Sequence, residues 1–480
     1  MIADLTPYPD YKESGLPWLG QVPGHWAVRR LRASITDCVN GAWGADPNGK
    51  DDLICVRVAD FDRVKLRVSL RKKTVRAIPL TARSRRLLQR GDLLLEKSGG
   101  GDLQPVGAVV AYDHEEPAVC SNFVARMPMA SGYDTFFVNY LHFTLYVNRV
   151  NIRSIKQTTG IQNLDGKAYL SEPVAFPPPA EQAAIVRFLD WANGRLERAI
   201  RAKRKVIALL TEQKQAIIHR AVTRGLDPSV PLKPAGIPWL RDIPQHWEVR
   251  RLKFVTTRIV DCLHATPRYS DSGSHPAIRT ADISPGVVHV SKAKRISSTD
   301  YARWTARLEP VEGDILYSRE GERFGIAACV PAGVRLCISQ RMMAFRIAKE
   351  HCADFVMSLL NSRSTYGQAL QDVMGATAPH VNISTIRNFF LAMPARQEQE
   401  AIVEHLCSEV RPIEGAISRL EREIELLREY RTRLVADVVT GKLDVREAAA
   451  RLPEEAAPDT TEDSTDSSDE ADLADEEVAV

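Results

Sequence analysis

The chain repeats itself, and this repeat limits the folds open to it more than any other feature. Residues 15–31 read GLPWLGQVPGHWAVRRL, and 221 positions later residues 236–252 read GIPWLRDIPQHWEVRRL. A second matched block lies at a shift of 217, where Glu181-Gln182 corresponds to Glu398-Gln399. Internal repeats of this kind indicate duplicated structural modules. We therefore predict two copies of one scaffold, each with an opening motif, a globular region and a long helix.

The two globular regions differ greatly in sequence. Short β-branched and apolar runs bounded by Gly, Pro and Asp, at residues 53–58, 106–111 and 326–330, predict strands. Residues 136–147 and 354–360 have the pattern of helices. The expected fold class is therefore mixed α/β, with two dissimilar α/β domains joined by two long helices. The predicted boundaries are 1–177 and 228–394 for the domains, 178–227 and 395–447 for the helices, and 448–480 for a tail.

The two long helices carry matching heptad patterns, because apolar residues recur at alternating steps of four and three in one register. The predicted seam residues are Leu189, Leu196, Ile200, Ile207, Leu210 and Ile217, then Leu406, Val410, Ile413, Ile417, Leu420, Ile424, Leu427, Leu434 and Val438. Asn193, Lys203 and Lys214 interrupt the first seam, and Arg431 interrupts the second. The shared register favours a coiled-coil spacer, and the alternative is that each helix packs only on its own domain.

Chain connectivity predicts the direction of this helical pair. The first helix ends near Thr223, the second domain begins near Gly236, and the second helix starts from that same domain. The second helix must therefore run back antiparallel to the first, which predicts a pseudo-twofold arrangement. A seam of about 33 residues at about 1.5 Å each makes a rod of about 50 Å. On B-DNA, where one turn is about 34 Å, such a rod predicts two short sequence blocks separated by an unread gap.

Charge is divided unevenly along the chain. Residues 453–480 hold twelve Asp and Glu and no Lys or Arg, so the rest of a chain with net charge +3 carries +15. A body this basic suits a polyanion partner, because neutralising phosphates releases counterions. A generally basic surface kept soluble by an acidic tail is the alternative. The low hydrophobicity and dense charge of the tail predict disorder.

Several classes of protein are excluded by what the sequence lacks. No run of about 18 apolar residues would span a membrane, and the polar amino terminus does not resemble a signal peptide. We expect a cytoplasmic protein. The eight cysteines are scattered, without a C-x-x-C pair or a Cys/His cluster at zinc spacing. We expect reduced thiols and no metal site.

No catalytic motif stands out either. The sequence has no Asn-Pro-Pro-Tyr-type tetrapeptide for amino methylation and no Gly-rich cofactor loop after a strand. Asp92 with Glu96-Lys97 superficially suggests a metal nuclease, but Gly91-Asp92 recurs as Gly313-Asp314 without such a lysine. A turn is the better interpretation. His25 and His246 have no recurring nucleophile or carboxylate at fixed spacing, which favours a structural role. We therefore predict no catalytic residue and no cofactor in this chain.

The doubled opening motif, beginning YKESGLPWL at residue 11 and followed by long helices, resembles the specificity subunits of type I restriction-modification systems. The resemblance covers about residues 5–447. It implies that each α/β domain is a target-recognition domain reading half of a bipartite site in double-stranded DNA. It also implies that the helices dock two modification subunits, which bring S-adenosylmethionine and methylate adenine. Restriction subunits would add ATP-driven translocation and cleavage, with ATP and Mg²⁺ held by those partners.

The two domains also resemble different classes of recognition domain. Residues 40–44 (NGAWG) with 54–61 resemble one class, and residues 261–269 (DCLHATPRY) with 279–283 resemble another. Different classes imply different half-sites. We therefore expect a target that is not a palindrome.

The candidate DNA contacts are residues on predicted loops whose side chains can bind bases or phosphates. Arg and Lys bind guanine edges or phosphates, and Asn and Gln read adenine. The first-domain candidates are Lys97, Ser98, Asn122, Gln162 and Asn163, with a basic cluster of Arg71, Lys72, Lys73 and Arg76 for the phosphate backbone. The second-domain candidates are His264, Ser318, Arg319, Gln340, Arg341, His380 and Asn382. A coiled-coil adaptor that binds only protein, and a DNA-binding chain with its own nuclease activity, stay open as alternatives.

Overall fold

The computed structural model describes residues 5–101, 103–159, 161–373 and 379–453. The predicted acidic tail from residue 459 onward lies outside the described residues. The chain divides into a first unit, residues 1–200 with 425–480, and a second unit, residues 201–424. The first unit is therefore built from both ends of the chain.

The globular part of the first unit is mixed α/β. Its strands are β1 (Tyr11–Glu13), β2 (Gln21–Pro23), β3 (Ala27–Arg30), β4 (Val39–Asn40), β5 (Asp52–Val56), β6 (Phe61–Asp62), β7 (Arg67–Val68), β8 (Val75–Ala77), β9 (Leu93–Glu96), β10 (Ser98–Gly99), β11 (Val109–Ala111), β12 (Ala118–Cys120), β13 (Val124–Met127), β14 (Ile155–Thr159), β15 (Ile161–Leu164) and β16 (Pro173–Phe176). Its helices are α1 (Leu80–Arg83), α2 (Thr135–Val147) and α3 (Gly166–Leu170), and the long helix α4 (Pro179–Arg224) follows.

The main sheet of the first unit has six strands in the order β4-β13-β9-β11-β7-β6. Two further sheets of this unit have three strands each, in the orders β12-β5-β8 and β10-β15-β14. The core packs around Trp26, Phe137 and Phe188, and it includes Leu434 and Val438 from the end of the second long helix.

The second unit follows the same plan with fewer strands in its main sheet. Its strands are β17 (Leu232–Pro234), β18 (Asp242–Pro244), β19 (Glu248–Arg251), β20 (Thr256–Asp261), β21 (His275–Ile278), β22 (Ile283–Ser284), β23 (Val287–Val288), β24 (Arg295–Ile296), β25 (Ile315–Ser318), β26 (Ala327–Cys329), β27 (Cys337–Ile338), β28 (Met342–Ile347) and β29 (Phe390–Met393). Its helices are α5 (Leu252–Val255), α6 (Ser298–Trp304), α7 (Ala353–Leu360), α8 (Arg363–Val373) and α9 (Ile383–Arg387). The long α10 (Arg396–Val439) then begins in the second unit and ends in the first, and the short α11 (Arg446–Ala450) belongs to the first unit.

The main sheet of the second unit runs β20-β28-β25-β26, and a smaller sheet runs β24-β21-β27. The mixed α/β class is confirmed, as are the predicted strands at β5, β11 and β26 and the predicted helices at α2 and α7. Helix α11 overlaps the start of segment 448–480, which the sequence assigned to a tail.

The opening motifs of the two units adopt the same local structure. In the first unit, β3 pairs with β16, and Ala27 lies opposite Phe176. In the second unit, β19 pairs with β29, and Glu248 lies opposite Met393. These partners differ by the two sequence shifts of the repeat, so the repeated blocks form one interlocked element in each unit.

A carboxylate, buried at Glu181 and half-buried at Glu398, anchors each opening motif to the first turn of a long helix. Trp26 Nε1 donates to Glu181 Oε1 at 2.9 Å, and His25 Nε2 lies 2.7 Å from Glu181 Oε2. Trp247 and His246 contact Glu398 in the same way, at 3.0 and 2.8 Å. The prediction that no carboxylate partner recurs for these histidines is therefore wrong. The partner lies more than 150 residues away in sequence, in the matched Glu-Gln block.

The glutamine of each Glu-Gln pair ties the long helix to another helix of its unit. Gln182 accepts a hydrogen bond from the backbone N–H of Asp134 at 2.8 Å, and Asp134 is the N-cap of α2. Gln399 accepts from the N–H of Cys352 at 2.8 Å, and Cys352 precedes α7. These contacts agree with the structural interpretation of the His-Trp motif. The glutamate binds the motif, and the adjacent glutamine binds the residue that precedes another helix.

The two long helices contact each other within both units. In the second unit, Lys214 Nζ lies 2.6 Å from Glu414 Oε1, and Lys203 forms an ion pair with Glu423. In the first unit, Arg431 lies 3.8 Å from Glu197. As residue numbers rise in α4 they fall in α10, so the contacting segments run antiparallel.

The predicted seam residues are all buried or half-buried, whereas Leu209 and Leu426, outside the seam, are exposed. The polar interruptions of the seam have partners. Lys203 and Lys214 bind glutamates of α10, and Asn193 donates to the hydroxyl of Tyr140 at 3.2 Å. In the described part of the chain, none of the helices combines the length and the apolar content needed to cross a bilayer.

Candidate nucleic-acid interface

Four segments of the first unit meet at one corner of its main sheet. Lys97 follows β9, and its N–H donates to the carbonyl of Phe123 at 2.7 Å. The carbonyl of Lys97 accepts from the N–H of Leu164 at 2.8 Å. The ammonium of Lys97 donates to Asn40 Oδ1, at the end of β4, at 3.2 Å. We call Asn40, Lys97, Phe123 and the adjacent Asn163 the first corner.

The second unit builds the same corner from corresponding backbone hydrogen bonds. The N–H of Arg319 donates to the carbonyl of Arg341 at 3.1 Å, and its carbonyl accepts from Val381 at 3.0 Å. Arg319 Nε lies 3.1 Å from Asp261 Oδ1, at the end of β20. We call Asp261, Arg319, Arg341 and the adjacent His380 the second corner.

Strand pairing fixes the correspondence between the corners. Ser98 pairs with Asn163 in the first unit, and Glu320 pairs with His380 in the second. By position, the side chains at the first corner correspond to those at the second as Asn40 to Asp261, Lys97 to Arg319, Phe123 to Arg341 and Asn163 to His380. The backbone framework is shared, while the side chains that it presents are different.

A network of charged groups fills the second corner. The side chain of Arg319 is only 3% exposed, and its Nη2 lies 2.7 Å from Glu320 Oε1. His380 Nδ1 lies 3.1 Å from Glu320, and His264 Nε2 lies 3.0 Å from Asp261 Oδ2. The charge of Arg319 is therefore balanced by two carboxylates. Its place in the network is that of a positioning group beneath the exposed side chains.

Among the first-domain candidates, Lys97, Ser98, Gln162 and Asn163 are brought together. Ser98 Oγ donates to Asn163 Oδ1 at 2.7 Å across the β10–β15 pair. Gln162 is buried, and its side-chain oxygen accepts from the N–H of Val106 at 3.2 Å. Asn122 is exposed beside Phe123. Lys97, Ser98, Asn122 and Asn163 therefore reach the surface of this corner, and Gln162 braces it from below.

Arg71, Lys72 and Lys73 of the predicted basic cluster lie between β7 and β8, and Arg76 lies within β8. Arg71, Lys72 and Lys73 are exposed, and Lys73 lies 3.4 Å from Glu116. Arg76 is only partly exposed, and its Nη1 lies 2.6 Å from Asp46 Oδ1. Arg76 therefore differs from its neighbours, because its side chain is mostly covered and its ion pair is closer than that of Lys73.

The second-domain candidates divide by burial. Ser318 is fully buried, as Arg319 nearly is, whereas His264, Arg341 and His380 are exposed around the second corner and Gln340 is half-buried beside it. Asn382 caps α9, and its side-chain amide donates to Asp372 Oδ1 at 3.0 Å. The exposed members are those whose polar atoms face solvent.

Sequence reasoning missed Asn40 and Asp261 as parts of these corners, and it missed Glu320 as a partner of Arg319. A signal for the correspondence was present, since extending the Gly91-Asp92 and Gly313-Asp314 match by a few residues aligns Lys97 with Arg319. The acidic and amide partners come from strands far away in sequence, which no local pattern joins.

The nuclease-like carboxylates are occupied by structural contacts. Asp92 accepts from Arg126 Nε at 2.6 Å and from the N–H of Gln89 at 2.7 Å. Asp314 repeats this with Arg346 at 2.7 Å and the N–H of Val311 at 3.0 Å. The interpretation of Gly-Asp as a turn is confirmed.

Glu96 is buried beside Arg63, whose Nη2 lies 3.0 Å from Glu96 Oε2. Burial raises the pKa of Glu96, with Arg63 opposing that effect. Its other contact is the N–H of Ala108 at 3.3 Å. Both of the carboxylates that suggested a metal nuclease are thus engaged within the fold.

One group of possible metal ligands occurs among the described residues. The ligand atoms of Asp261, Cys262 and His264 lie within 4.8 Å of one another. The sequence pattern did not single out this group. Because the guanidinium of Arg319 already pairs with Asp261, a bound cation would meet a positive charge there.

Two α/β units have matching corners, and each is fastened to a long helix through a repeated Glu-Gln block. No protein-family model matches the chain. It is 22% identical over 313 residues to the type I restriction enzyme MjaVIII specificity subunit of Methanocaldococcus jannaschii, covering 64% of this chain and 70% of that protein. It is 21% identical over 471 residues to the MjaIX specificity subunit of the same organism, covering 91% and 97%.

A solved chain from a study of complex assembly and conformational transition in the type I R-M system has a similar fold. The TM-score is 0.60 at 15% identity, covering 88% of this chain and 99% of that one. The resemblance to specificity subunits of type I restriction enzymes is confirmed by these relatives.

Proposed function

We propose that this chain is the DNA-binding specificity subunit of a type I restriction-modification enzyme, and that it reads a bipartite, non-palindromic target. The observation that carries the proposal is the pair of corners: one set of backbone hydrogen bonds presents Lys97, Phe123 and Asn163 in one unit and Arg319, Arg341 and His380 in the other. Two half-sites of different sequence need this combination of a shared framework and different side chains.

Double-stranded DNA is the ligand that fits these surfaces best. The exposed groups at the corners are amides, hydroxyls, imidazoles and a guanidinium, which are the donors and acceptors that read base edges. Arg71 and Lys72 add exposed cations beside the first corner's unit, and contacts of that kind hold the phosphate backbone without reading sequence.

The paired helices are proposed as the spacer between the two half-sites. Three features support this role: the unbroken spans of α4 and α10, their antiparallel ion pairs and the full or partial burial of the predicted seam residues. We further propose that two modification subunits and the restriction subunits dock on this scaffold. Those partners would hold S-adenosylmethionine, ATP and Mg²⁺, and this chain would hold none of them.

Mapping methylated adenines in cells with and without this chain tests the proposal. The expected result is one motif of two unlike blocks at fixed spacing, which disappears when the chain is deleted. A matched footprint of the purified chain should protect both blocks. Loss of the methylation with no binding to any duplex at low salt would favour a protein-only adaptor. Magnesium-dependent cutting by the chain alone would instead establish a nuclease.

Lengthening both helices by one heptad tests the spacer. The insertions are placed between the Lys203–Glu423 and Lys214–Glu414 pairs, so that the antiparallel register is kept. Seven residues add about 10 Å, which is about three base pairs at 3.4 Å each. The methylated motif should keep both blocks and widen its gap by that amount. An unchanged gap would refute the spacer role. A change in the base sequence of the two blocks would refute the view that the α/β units read the bases while the helices only set the spacing.

A further inference from the structure

Trp43 is held at the surface beside the first corner. It is 41% exposed, and the six other tryptophans of the chain, all within the described residues, are less exposed. Exposing most of one indole edge sacrifices hydrophobic stabilisation, since burial of apolar area contributes about 25 cal/mol per Å². A large apolar side chain kept at the surface by a rigid loop therefore calls for a ligand.

The loop that carries Trp43 is fixed by its backbone. The N–H of Ala42 donates to the carbonyl of Cys120 at 2.8 Å, and Ala45 exchanges two hydrogen bonds of 3.0 Å with Ala77. A Cβ on Gly41 would lie 1.9 Å from the carbonyl oxygen of Cys120, so only glycine permits this approach. The position of the indole is therefore set before any ligand arrives.

Arg76 supports the ring from one side. Its guanidinium carbon lies 4.8 Å from the ring centroid, and its Nε donates to the carbonyl of Trp43 at 3.3 Å. Its Nη1 is paired with Asp46 at 2.6 Å, which balances its charge. The resulting surface is planar and nearly neutral. It suits the apolar part of a base better than a phosphate.

The position of Trp43 in the fold agrees with a role in recognition. Asn40, three residues earlier, holds Lys97 in the first corner. In the second unit His264, three residues after Asp261, is also exposed and contacts Asp261 of the second corner. The segment that follows this strand thus presents an exposed side chain in both units.

We propose that Trp43, backed by Arg76, contacts the 5-methyl group of a thymine in the first half-site. The thymine methyl is the apolar feature of the major groove, and aromatic side chains bind it by direct contact. Insertion between base pairs is disfavoured because Trp43 is only 41% exposed and Arg76 covers one face of its ring. This proposal rests on the proposed function, since it assigns one position of the target.

The test removes the methyl group from the DNA rather than altering the protein. The full chain first selects duplexes from a random-sequence pool, and each thymine of the enriched blocks is then replaced by uracil. One position in one block should lose about fourfold in affinity, the value of one buried methyl group. Wild-type protein that shows no sensitivity to uracil at any position, or an enriched block without thymine, would overturn the proposal.

Protein variants assign the effect to Trp43. In W43A the same thymine-to-uracil change should cost less than about 1.5-fold, while the other block is read as in the wild type. L80A, which shortens an exposed apolar side chain elsewhere in the unit, should keep the fourfold sensitivity. Full methyl sensitivity in W43A would also overturn the proposal. Failure of the wild-type chain to enrich any duplex would count against the proposed function itself.

Discussion

Arg319 and Asp261 form an ion pair of 3.1 Å inside the second unit, at the place where the first unit sets Lys97 against the amide of Asn40. The pair is nearly sealed from water, because the side chain of Arg319 is 3% exposed and that of Asp261 is 11% exposed. The second corner thus contains a network of charged groups around Arg319. In the first corner a single cation, Lys97, is held by the neutral amide of Asn40.

Arg319→Met should destabilise the protein far more than Lys97→Met. Removing the guanidinium leaves Asp261 and Glu320 without their counter-charge in a buried site, which costs about 3–5 kcal/mol of the free energy of unfolding. Lys97→Met removes the hydrogen bond to Asn40, which is more exposed than the Arg319 pair. We expect it to lower the free energy of unfolding by less than about 1 kcal/mol. Urea unfolding of both variants measures the difference. Equal losses would mean that the two corners have the same energetic design.

Arg341→Ala should relax the sequence preference of one half-site only. Arg341 is exposed at the second corner, and an arginine that reads a base contributes about 1–3 kcal/mol of discrimination. Affinity for the selected duplex should fall by roughly 10- to 100-fold, with the lost preference confined to one block. Phe123→Ala, at the corresponding position of the first unit, is the matched control and should affect the other block. A change in both blocks by either variant would contradict the modular reading of DNA.

Lys72→Ala should weaken binding to all duplexes by the same factor. Lys72 is exposed beside Arg71, and a phosphate contact carries no sequence information. The slope of log affinity against log salt should become shallower by about 0.9. Lys442→Ala, which removes an exposed lysine paired with Asp437, should leave that slope unchanged. Base preferences that shift in the Lys72 variant would place this residue in a groove instead.

Mild acid should destabilise the first unit through His142. This imidazole is fully buried against the hydroxyl of Tyr169, and burial lowers the pKa of His142 to about 3. In the unfolded chain the pKa of this histidine is near 6.5, so the unfolded chain binds a proton below that pH while the folded protein does not. Stability from this residue is therefore complete above pH 6.5 and is lost as the pH falls.

At pH 5 the loss from His142 should reach about 2 kcal/mol. Urea unfolding at pH 7.5 and 5.0 of the wild type and of His142→Gln measures it. The variant should lose about 2 kcal/mol less than the wild type over this interval. The same pH dependence in both proteins would show that the imidazole is accessible to protons in the fold.

The sequence predicted the elements that depend on periodicity or repetition. The long helices α4 and α10 follow from apolar spacing, and the ion pairs of Lys203 and Lys214 with glutamates show how these polar residues are accommodated between them. The Gly-Asp turns were recognisable because both copies keep Asp92 and Asp314. Features of this kind depend on residues that lie close together in sequence.

The corners could be predicted only in part, for a physical reason. Side-chain type drew attention to Lys97 and Arg319, but type does not reveal burial, and Ser318 and Arg319 lie beneath the surface. Their partners, Asn40 and Asp261, come from strands that only the folded sheet brings close. For the same reason the glutamates that bind His25 and His246 were missed.

The first unit is assembled from residues at both ends of the chain, whereas the second unit is continuous from residue 201 to residue 424. A ribosome therefore completes the second unit while the first still lacks Leu434 and Val438, which fill its core. The unit whose globular part is synthesised first therefore cannot complete its core until residues 434–438 have been added to the growing chain.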